Sequence, residues 1–535
     1  MKQKNVFKFI FYTITMVLSF VYIVYRTFYT LPLSLGALAL CVSIIVLIVE
    51  IWEFVDFFVY YLNILIVSKK SPKIPSLSNI AEFPDIDVLI ATLNEHESLL
   101  ENTIEACKRM KYPDTSKIHI YVCDDGNRAN IKKLSEKLNV GYISRLTNKN
   151  AKAGNYNHAL SLVSSPYVAT FDADMAPTEN FLLTTLPFFF DNKNYISKKQ
   201  NSGKNLNKIG FVQLPQSFIN PDIFQYRFHL ENKIPFEQDY FYHSIQIGKN
   251  ATNSAVCCGT NTLFSRKALD DCGGFATNTI SEDIATGMLI ESKGYQCLAL
   301  DNVEAYGIAA NDLTGFVKQR TRWARGCIQI LKKYKILGNS GLSFRQKLEY
   351  ITCISYWFFG IRRMIYLLTP LLFSIFGIII VDCNLTTFIC FWLPAYLLKR
   401  FALDSVEGHK RSSTWNIIYE TILTPVLFKE ALKELFGFGG TKFEVTPKFA
   451  PKAKMSKTNI RLLFSHFTLL TLSIIGLIMC IWRMTNSNVT VYILSLVWLI
   501  SNIFYLTISV IFDLRYKPVD YSNFIPNKIK KYKGI

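Results

Sequence analysis

The sequence has little charge for a chain of 535 residues, because Asp, Glu, Lys and Arg make up only 19% of it. A soluble globular protein usually carries about 25% charged residues. Apolar residues make up 50% and aromatic residues 14%, which excludes intrinsic disorder. Acidic residues are the scarcer kind, with 40 against 59 basic ones. The composition favours a membrane protein with a sizeable soluble part, in which Lys and Arg mark loops that face anionic lipid rather than nucleic acid.

Three kinds of motif are also missing. The twelve cysteines form no Cys-x-x-Cys pair, so we expect no zinc site and no disulfide framework, and the thiols should be reduced and packed. The chain has no Gly-x-x-x-x-Gly-Lys-[Ser/Thr] run and no Gly-x-Gly-x-x-Gly run. The ATPase and dehydrogenase classes therefore lose support.

Long apolar windows predict transmembrane helices, which need about 20 apolar residues to cross the hydrocarbon core. Six windows approach or exceed this length, and the fourth is the shortest: 7–25, 31–67, 365–381, 385–398, 462–482 and 489–512. No small-residue cleavage site follows the first window, which disfavours a signal peptide. Basic residues cluster around 69–73, 399–461 and 514–535, so the positive-inside rule places both termini and the middle of the chain in the cytoplasm.

The predicted organisation has five parts. They are two N-terminal transmembrane helices (1–68), a cytosolic domain (80–335), a region of interfacial helices, two transmembrane helices and a loop (336–458), two further transmembrane helices (459–513) and a basic cytosolic tail (514–535). The stretches 343–366 and 412–436 fit amphipathic helices in the headgroup region, or ordinary helices packed on the cytosolic domain.

The middle of the chain alternates short apolar runs with helical segments. The runs predict four strands with three helices between them: strands at 87–91, 118–123, 140–144 and 167–171, and helices at 95–110, 130–138 and 153–163. Such alternation is typical of a parallel α/β sheet. Ligands of these sheets bind at the carboxyl ends of the strands.

Acidic residues fall at those carboxyl ends. Asp124 and Asp125 follow the second predicted strand, and Asp172-Ala173-Asp174 follows the fourth. A single Asp after a strand is usually a turn or cap residue. Two close carboxylates repel each other unless a cation lies between them, and Mg²⁺ binds one or two carboxylates together with substrate phosphates. The second pair therefore predicts a divalent-metal site for a phosphorylated substrate.

Two further motifs lie downstream of these strands. Ser-Glu-Asp occurs at 281–283 in a loop-rich stretch, and Gln-Arg-Thr-Arg-Trp at 319–323 opens a helix-like run. An arginine can bind a diphosphate through its planar fork of donors. A tryptophan offers an apolar face to a sugar ring.

Together these motifs resemble the processive family 2 glycosyltransferases, above all the cellulose synthases. The family pattern is an Asp, then Asp-x-Asp, [Thr/Ser]-Glu-Asp and Gln-x-x-Arg-Trp in this order, and the resemblance covers about 85 to 515. Further matches, the last to the cellulose synthase gating loop, lie at 151–155, 212–213, 220–222, 258–260, 356–359 and 443–448. Ser281 stands where the family usually has Thr. Many bacterial members end in a cyclic-di-GMP-binding domain where this chain has a basic tail, so we expect no regulation by that route.

The resemblance implies an α/β fold with a GT-A-type domain inserted between transmembrane helices. Asp283 is expected to be the general base, and Asp174 with Asp172 to hold Mg²⁺ or Mn²⁺. The residues expected to bind the nucleotide donor are Thr92, Glu95, Asp124 or Asp125, Lys152, Gln319, Arg322, Phe443 and Thr446. The residues expected to bind the acceptor are Trp323, Cys258 and Glu282.

By the same resemblance, the protein is expected to polymerise glucose from UDP-glucose into a β-glucan, with inversion, and to move it across the plasma membrane. The expected partners are a UDP-sugar, the growing polysaccharide and lipid, without nucleic acid; the linkage and any accessory subunits stay open. The alternative enzyme makes a chitin- or hyaluronan-like polymer from UDP-hexosamine or UDP-glucuronate. Gln-x-x-Arg-Trp disfavours a non-processive transferase, the intact acidic set disfavours an inactive scaffold, and the large inserted domain disfavours a transporter.

Overall fold

The computed structural model describes residues 2–66, 71–190, 208–231, 233–310, 312–407, 412–438, 455–486 and 490–515. The strands of this part are β1 (Ile86–Thr92), β2 (Ile118–Asp124), β3 (Gly141–Ser144), β4 (Tyr167–Asp172), β5 (Met175–Pro177), β6 (Ile209–Gln213), β7 (Ser217–Phe218), β8 (Thr262–Ser265), β9 (Gln296–Ala299) and β10 (Ala305–Gly307). Its α-helices are α1 (Lys2–Tyr29), α2 (Ala37–Ile66), α3 (Glu97–Lys108), α4 (Ala129–Lys137), α5 (Ala151–Leu160), α6 (Phe181–Thr185), α7 (Ile223–Phe228), α8 (Gln246–Lys249), α9 (Arg266–Asp271), α10 (Glu282–Ser292), α11 (Leu313–Lys333), α12 (Phe344–Ser355), α13 (Phe359–Phe376), α14 (Leu385–Glu407), α15 (Ser413–Leu435), α16 (Lys457–Asn486) and α17 (Thr490–Leu514).

The larger sheet has seven strands in the order β3-β2-β1-β4-β8-β6-β9. Strands β3, β2, β1 and β4 are parallel and correspond to the four predicted strands. Strand β8 runs antiparallel to both of its neighbours, whereas β6 and β9 run in the same direction as β4, so the prediction of a parallel sheet was wrong for β8 alone. The sequence pattern does not reveal this reversal, because an antiparallel neighbour needs no helical crossover. A second sheet has the order β5-β10-β7.

Helices cover both faces of the larger sheet, which explains why its strands are continuous apolar runs. Val88 and Ile90 of β1 pack in one buried cluster with Leu100 of α3. Leu89, on the opposite face of β1, packs in another cluster with Tyr156 of α5. This two-sided burial fixes the register of β1 against its neighbours, since a slip of one residue would exchange the faces.

Five helical segments of the described chain are long and apolar enough to cross a membrane: Phe9–Tyr29, Ala37–Leu62, Phe344–Phe376, Lys457–Thr485 and Tyr492–Leu514. The protein is therefore a membrane protein with an α/β domain between its spans. The predicted span at 385–398 forms the first part of α14, but this helix is not among the five. Pro394 interrupts its apolar stretch, and Lys399 and Arg400 follow soon after.

The two stretches predicted as interfacial are helical. The stretch 343–366 and the predicted span at 365–381 share one run of helix, Phe344–Phe376. The stretch 412–436 contains α15, which packs against α11 and α13. Gly360 permits the contact between α13 and α15, because a Cβ atom there would lie 2.6 Å from the backbone nitrogen of Phe428.

Helix α2 carries three carboxylates on one face, because Glu50, Glu53 and Asp56 are spaced three residues apart. Each pairs with a cation on a different helix: Glu50 with Arg26 of α1 (3.1 Å), Glu53 with Lys399 of α14 (3.4 Å) and Asp56 with Arg362 of α13 (2.7 Å). Charged groups within a membrane are costly unless they are paired. The three pairs therefore tie α2 to helices from distant parts of the chain.

Candidate active site

Parallel pairing brings the ends of three strands to one edge of the larger sheet. Thr92 at the end of β1 lies opposite Asp124 of β2, and Ala91 lies opposite Asp172 of β4. This edge lines a cavity of about 980 Å³, whose wall also includes residues of α5, α10 and α11. The cavity therefore lies where a sheet of this kind binds its ligands.

Asp124 and Asp125 are adjacent but have different surroundings. Asp124 is fully buried and accepts hydrogen bonds from the backbone N–H of Arg128 (2.7 Å) and the hydroxyl of Tyr142 (3.1 Å). Asp125 lines the cavity and pairs with the Arg145 guanidinium, whose Nη2 lies 2.7 Å from Oδ2. Of the two carboxylates that the sequence leaves open, Asp125 faces the cavity and Asp124 shapes the turn after β2.

Thr92 and Glu95 lie together at the same edge. The Glu95 carboxylate accepts hydrogen bonds from Thr92 Oγ1 and from the backbone N–H of Leu93, both at 2.7 Å. Arg128 donates to Thr92 Oγ1 and to the Glu95 carbonyl, also at 2.7 Å. Arg128 was not predicted as part of this edge, although a buried carboxylate such as Asp124 needs a nearby cation.

Lys152 and Asp172 form an ion pair in the cavity wall. Lys152 Nζ lies 2.5 Å from Asp172 Oδ1 and donates to the Gly259 carbonyl at 2.8 Å. Burial by itself lowers the pKa of Lys152, but Asp172 together with Tyr156 and Glu282 more than offsets this effect, so the net pKa lies above its ordinary value. Asp174 also lines the cavity. Lys152 is therefore a fixed positive charge beside the Asp-x-Asp motif.

The described residues contain no cluster of three or more His, Cys, Asp or Glu side chains that could hold a metal ion. A metal at Asp172 and Asp174 would take its other ligands from the substrate, as Mg²⁺ does with phosphates. The Asp172 side chain is 36% exposed and has only its Oδ1 on Lys152. The two carboxylates therefore fit an ion that arrives with a diphosphate.

The Ser-Glu-Asp motif lies at the start of α10 and against α11. A Cβ atom at Gly326 of α11 would lie 2.6 Å from the backbone nitrogen of Ser281, so this contact requires glycine. Thr279 Oγ1 donates to the Gly326 carbonyl at 3.1 Å. Gly259 has a φ of +71°, and a Cβ atom there would lie 3.0 Å from Asp283 Cβ. Two glycines therefore set the position of the motif in the cavity wall.

Both carboxylates of this motif have raised pKa values. Burial raises the pKa of Asp283 above its ordinary value, and the Ile284 N–H, Lys152 and Arg322 offset part of this effect. Burial, followed by the Asp283 charge, raises the pKa of Glu282 to about 7. A carboxylate with a raised pKa is a better proton acceptor, which is the property that the expected general base requires.

These shifts predict how the reaction depends on pH. A general base accepts a proton only in its deprotonated form, so the rate should rise with pH through the raised pKa of Asp283 and fall on acidification. The acidic limb should lie above about pH 3.9, the ordinary value for Asp. Initial rates of product formation from about pH 4 to pH 9 test this, and a rate that stays constant down to about pH 4 contradicts it.

Helix α11 brings the Gln-x-x-Arg-Trp motif to the cavity. Gln319, Arg322 and Trp323 all line it, because residues three and four apart share a helix face. The Trp323 indole meets the Trp357 ring edge to face, with centroids 6.1 Å apart. The motif therefore places a cationic and an aromatic group in the same cavity as the acidic edge of the sheet.

Cys258 also lines the cavity, as a packed thiol. Its backbone N–H donates to Gln213 Oε1 at 2.8 Å, and its Sγ lies 3.6 Å from the Val256 carbonyl. Burial raises the pKa of the Cys258 thiol well above its usual range, so the sulfur is neutral. Two predicted donor-binding residues, Phe443 and Thr446, lie outside the described residues.

Two family models match the chain. The model of glycosyl transferase family 2 matches residues 87–273, which include the acidic edge of the sheet. Residues 87–273 are therefore similar to a family 2 glycosyltransferase domain. The model of glycosyl transferase family 21 matches residues 236–401, which include the Ser-Glu-Asp and Gln-x-x-Arg-Trp motifs.

The chain is similar to bacterial cellulose synthases. It is 32% identical over 426 residues to the cellulose synthase catalytic subunit (UDP-forming) of Pseudomonas fluorescens. The match covers 79% of this chain and 55% of that protein. It is 30% identical over 402 residues to the subunit of the same name from Xanthomonas axonopodis pv. citri. This match covers 75% of this chain and 53% of that protein. The chain thus spans about half the length of these relatives. A solved structure, the mannosyltransferase PcManGT of Pyrobaculum calidifontis in complex with GDP-Man and Mn²⁺, is 17% identical, with a TM-score of 0.46 and coverage of 74% of this chain and 99% of that one.

The cavity of the glycosyltransferase domain continues among the membrane helices. Beyond Trp323 its wall is rich in aromatic side chains: Tyr356, Trp357, Tyr366, Trp392, Tyr396, Trp498 and Tyr505. Trp392 and Tyr396 of α14 stack with ring centroids 5.0 Å apart. Ser501 and Asn502 of α17 add polar groups to the wall. One cavity therefore joins the acidic edge of the sheet to the interior of the helix bundle.

Proposed function

We propose that the protein is a processive, inverting glycosyltransferase that polymerises glucose from UDP-glucose into a β-glucan and moves the polymer across the plasma membrane. The observation that carries this proposal is the single cavity that joins the acidic sheet edge to the aromatic-lined helix bundle. The relatives named as UDP-forming cellulose synthase subunits support a UDP-sugar donor. The distribution of Lys and Arg supports a cytoplasmic position for the glycosyltransferase domain.

The nucleotide end of the donor fits the sheet edge at Thr92, Glu95 and Asp125. Asp172 and Asp174 would hold Mg²⁺ or Mn²⁺ together with the diphosphate. When bound, this ion supplies positive charge that stabilises the leaving UDP. The carboxylates of Asp172 and Asp174 repel a diphosphate that carries no cation. The diphosphate is therefore expected to enter only together with its metal ion.

Lys152, Gln319 and Arg322 are expected to stabilise the leaving group together with the metal ion. Lys152 is held in place by Asp172 and by the Gly259 carbonyl. Gln319 and Arg322 project from α11 into the same cavity and add hydrogen-bond donors. Donors that are fixed before the reaction stabilise developing charge without reorganising during it.

The acceptor hydroxyl is expected to lie at Asp283, which takes its proton as the oxygen attacks the anomeric carbon. UDP leaves from the opposite face of the sugar, so the configuration inverts. The Trp323 indole forms a floor for the acceptor ring. Glu282 and Cys258, which line the cavity nearby, complete the acceptor end.

The membrane part of the cavity offers a path for the product. A sugar polymer in hydrocarbon would leave its hydroxyl groups without hydrogen bonds, which is costly. Aromatic faces such as Trp392 and Tyr396, with polar groups such as Ser501 and Asn502, match the apolar faces and the hydroxyl edges of sugar rings. The polymer is therefore expected to leave through the helix bundle as it grows.

A donor panel tests the activity. The purified protein in lipid is given Mg²⁺ or Mn²⁺ with UDP-glucose, UDP-N-acetylglucosamine, UDP-glucuronate or UDP-galactose, singly and in pairs. We expect UDP release and large polymer from UDP-glucose alone, lost with EDTA and restored by the metal. Linkage-specific glucanases then identify the bond. Polymer from another donor points to a chitin- or hyaluronan-like synthase, and absence of UDP release from every donor overturns the proposal.

Sealed vesicles test the movement of the polymer. In inside-out vesicles the glycosyltransferase domain faces the added UDP-glucose, so polymer should accumulate in the lumen. There it should resist added glucanase until detergent opens the vesicles. Polymer that glucanase digests without detergent would show that synthesis and transport are separate.

A further inference from the structure

The Asn-Pro-Asp motif at 220–222 has no role in the proposed reaction, but a chain of contacts connects it to Trp323 at the acceptor end of the cavity. Asp222 is buried at the start of α7, where its Oδ1 accepts hydrogen bonds from the backbone N–H of Phe224 (2.9 Å) and Gln225 (2.8 Å). Its Oδ2 accepts from the backbone N–H of Glu237 at 2.8 Å. The motif therefore fixes the backbone at Glu237.

The Glu237 carboxylate forms an ion pair with Arg320 of α11. Both side chains are largely buried, with 12% and 3% of their surfaces exposed. Within the described residues, Glu237 accepts the one hydrogen bond that the Arg320 side chain donates, and Arg320 Nε is buried without a partner. The buried guanidinium charge therefore depends on this single carboxylate.

Arg320 lies between two aromatic rings of its own helix. Its guanidinium carbon is 4.3 Å from the centroid of the Trp323 indole and 4.6 Å from the centroid of the Phe316 ring. An aromatic face attracts a guanidinium, and more strongly when the pair is shielded from water. Trp357 contacts the same indole edge to face. The orientation of the Trp323 ring is thus set from two directions.

We propose that Arg320, oriented by Glu237, is a positioning residue that holds the Trp323 indole as the platform for the acceptor sugar. This role rests on the proposed function of the cavity. A sugar ring packs well only on an indole face whose orientation is fixed, and all three side chains line the cavity. The two arginines of the 319–323 motif therefore differ, with Arg322 directed to the diphosphate and Arg320 to the indole.

The test uses two variants and a matched control. Arg320→Lys keeps the positive charge but loses the planar fork, and Glu237→Gln removes the counter-charge. Arg325→Lys is the control, because Arg325 lies on the same helix and pairs with Glu434 at 2.8 Å but does not line the cavity. Each variant is made in the full chain with and without Trp323→Phe, so that the difference spectrum isolates the fluorescence of Trp323.

In both variants we expect Trp323 emission to shift to longer wavelength, toward that of a solvated indole, whereas the control should not shift. The ratio of polymer formed to UDP released should fall about tenfold while the donor KM stays within about twofold, because a misplaced acceptor lets water react instead. Unchanged Trp323 emission, or equal losses of polymer and UDP release with a raised donor KM, would overturn the proposal. If the wild type releases no UDP, the proposed function fails and the role toward the acceptor sugar fails with it, whereas unchanged Trp323 emission in a wild type that makes polymer overturns the positioning role alone.

Discussion

Replacing Asp283 with Asn should lower polymer formation by about 10²–10⁴-fold, which is the usual contribution of a general base. Asparagine keeps the size of the side chain but does not accept the proton of the acceptor hydroxyl. The nearby Asp172 carboxylate is a poor substitute, since it is paired with Lys152. Polymer formation is measured directly, and calorimetric titration with UDP should show donor binding within about twofold of the wild type.

Asp270→Asn provides the matched control for this substitution. Asp270 lies on α9, pairs with Arg266 at 2.9 Å and is 56% exposed, outside the cavity. It should retain wild-type activity, because an exposed ion pair contributes little. Polymer formation that survives in Asp283→Asn would show that another group removes the proton.

A single methyl group at position 326 should have an effect nearly as large. Gly326→Ala would place a Cβ atom 2.6 Å from the backbone nitrogen of Ser281 and 2.7 Å from its Cβ, so α11 or the Ser-Glu-Asp motif must shift. Overpacking of this kind costs about 1–3 kcal/mol of stability. A shift of about 1 Å at Asp283 should also lower activity by about 100-fold. Polymer formation and the melting temperature of the purified protein are the measurements.

Gly338→Ala is the control, because a Cβ atom at Gly338 would meet nothing within 4 Å. It should leave both activity and melting temperature unchanged.

Alanine is the better helix former, by about 1 kcal/mol, so helix propensity alone predicts that Gly326→Ala stabilises α11. A variant at 326 that is active and more stable would show that the close contact with Ser281 is unimportant.

The four parallel strands β1 to β4 and the site at their carboxyl ends could be predicted, because buried parallel strands are continuous apolar runs and their ends carry the polar residues. The direction of β8 could not, because a four-residue strand has no pattern that distinguishes parallel from antiparallel pairing. The span at 385–398 was predicted from an apolar run that is too short for a helix to cross the hydrocarbon core. In the same helix, Lys399 forms an ion pair with α2 and Arg400 donates a hydrogen bond to α15.

The other features that the sequence does not reveal are parts of the site that depend on contacts in the folded protein. Asp124 and Asp125 look alike in the sequence, and only the turn after β2 determines which one is buried. Glu237 and Arg320 lie 83 residues apart, so their pairing under Trp323 depends on how α11 docks on the domain. Arg320 stands at a position that the family pattern Gln-x-x-Arg-Trp leaves unspecified, so the motif assigns it no role.

The three ion pairs of α2 also constrain how the protein is made. The first pair forms within the N-terminal helical hairpin, but Asp56 and Glu53 pair with Arg362 and Lys399, which lie 306 and 346 residues further along the chain. At about 5–20 residues per second, ribosomal synthesis of that stretch takes roughly 15–70 s. During that time, Glu53 and Asp56 of the newly synthesised hairpin lack the Lys399 and Arg362 side chains with which they pair in the folded protein. Its final depth and tilt in the bilayer are therefore set only after α13 and α14 have been synthesised, so biogenesis cannot proceed one hairpin at a time.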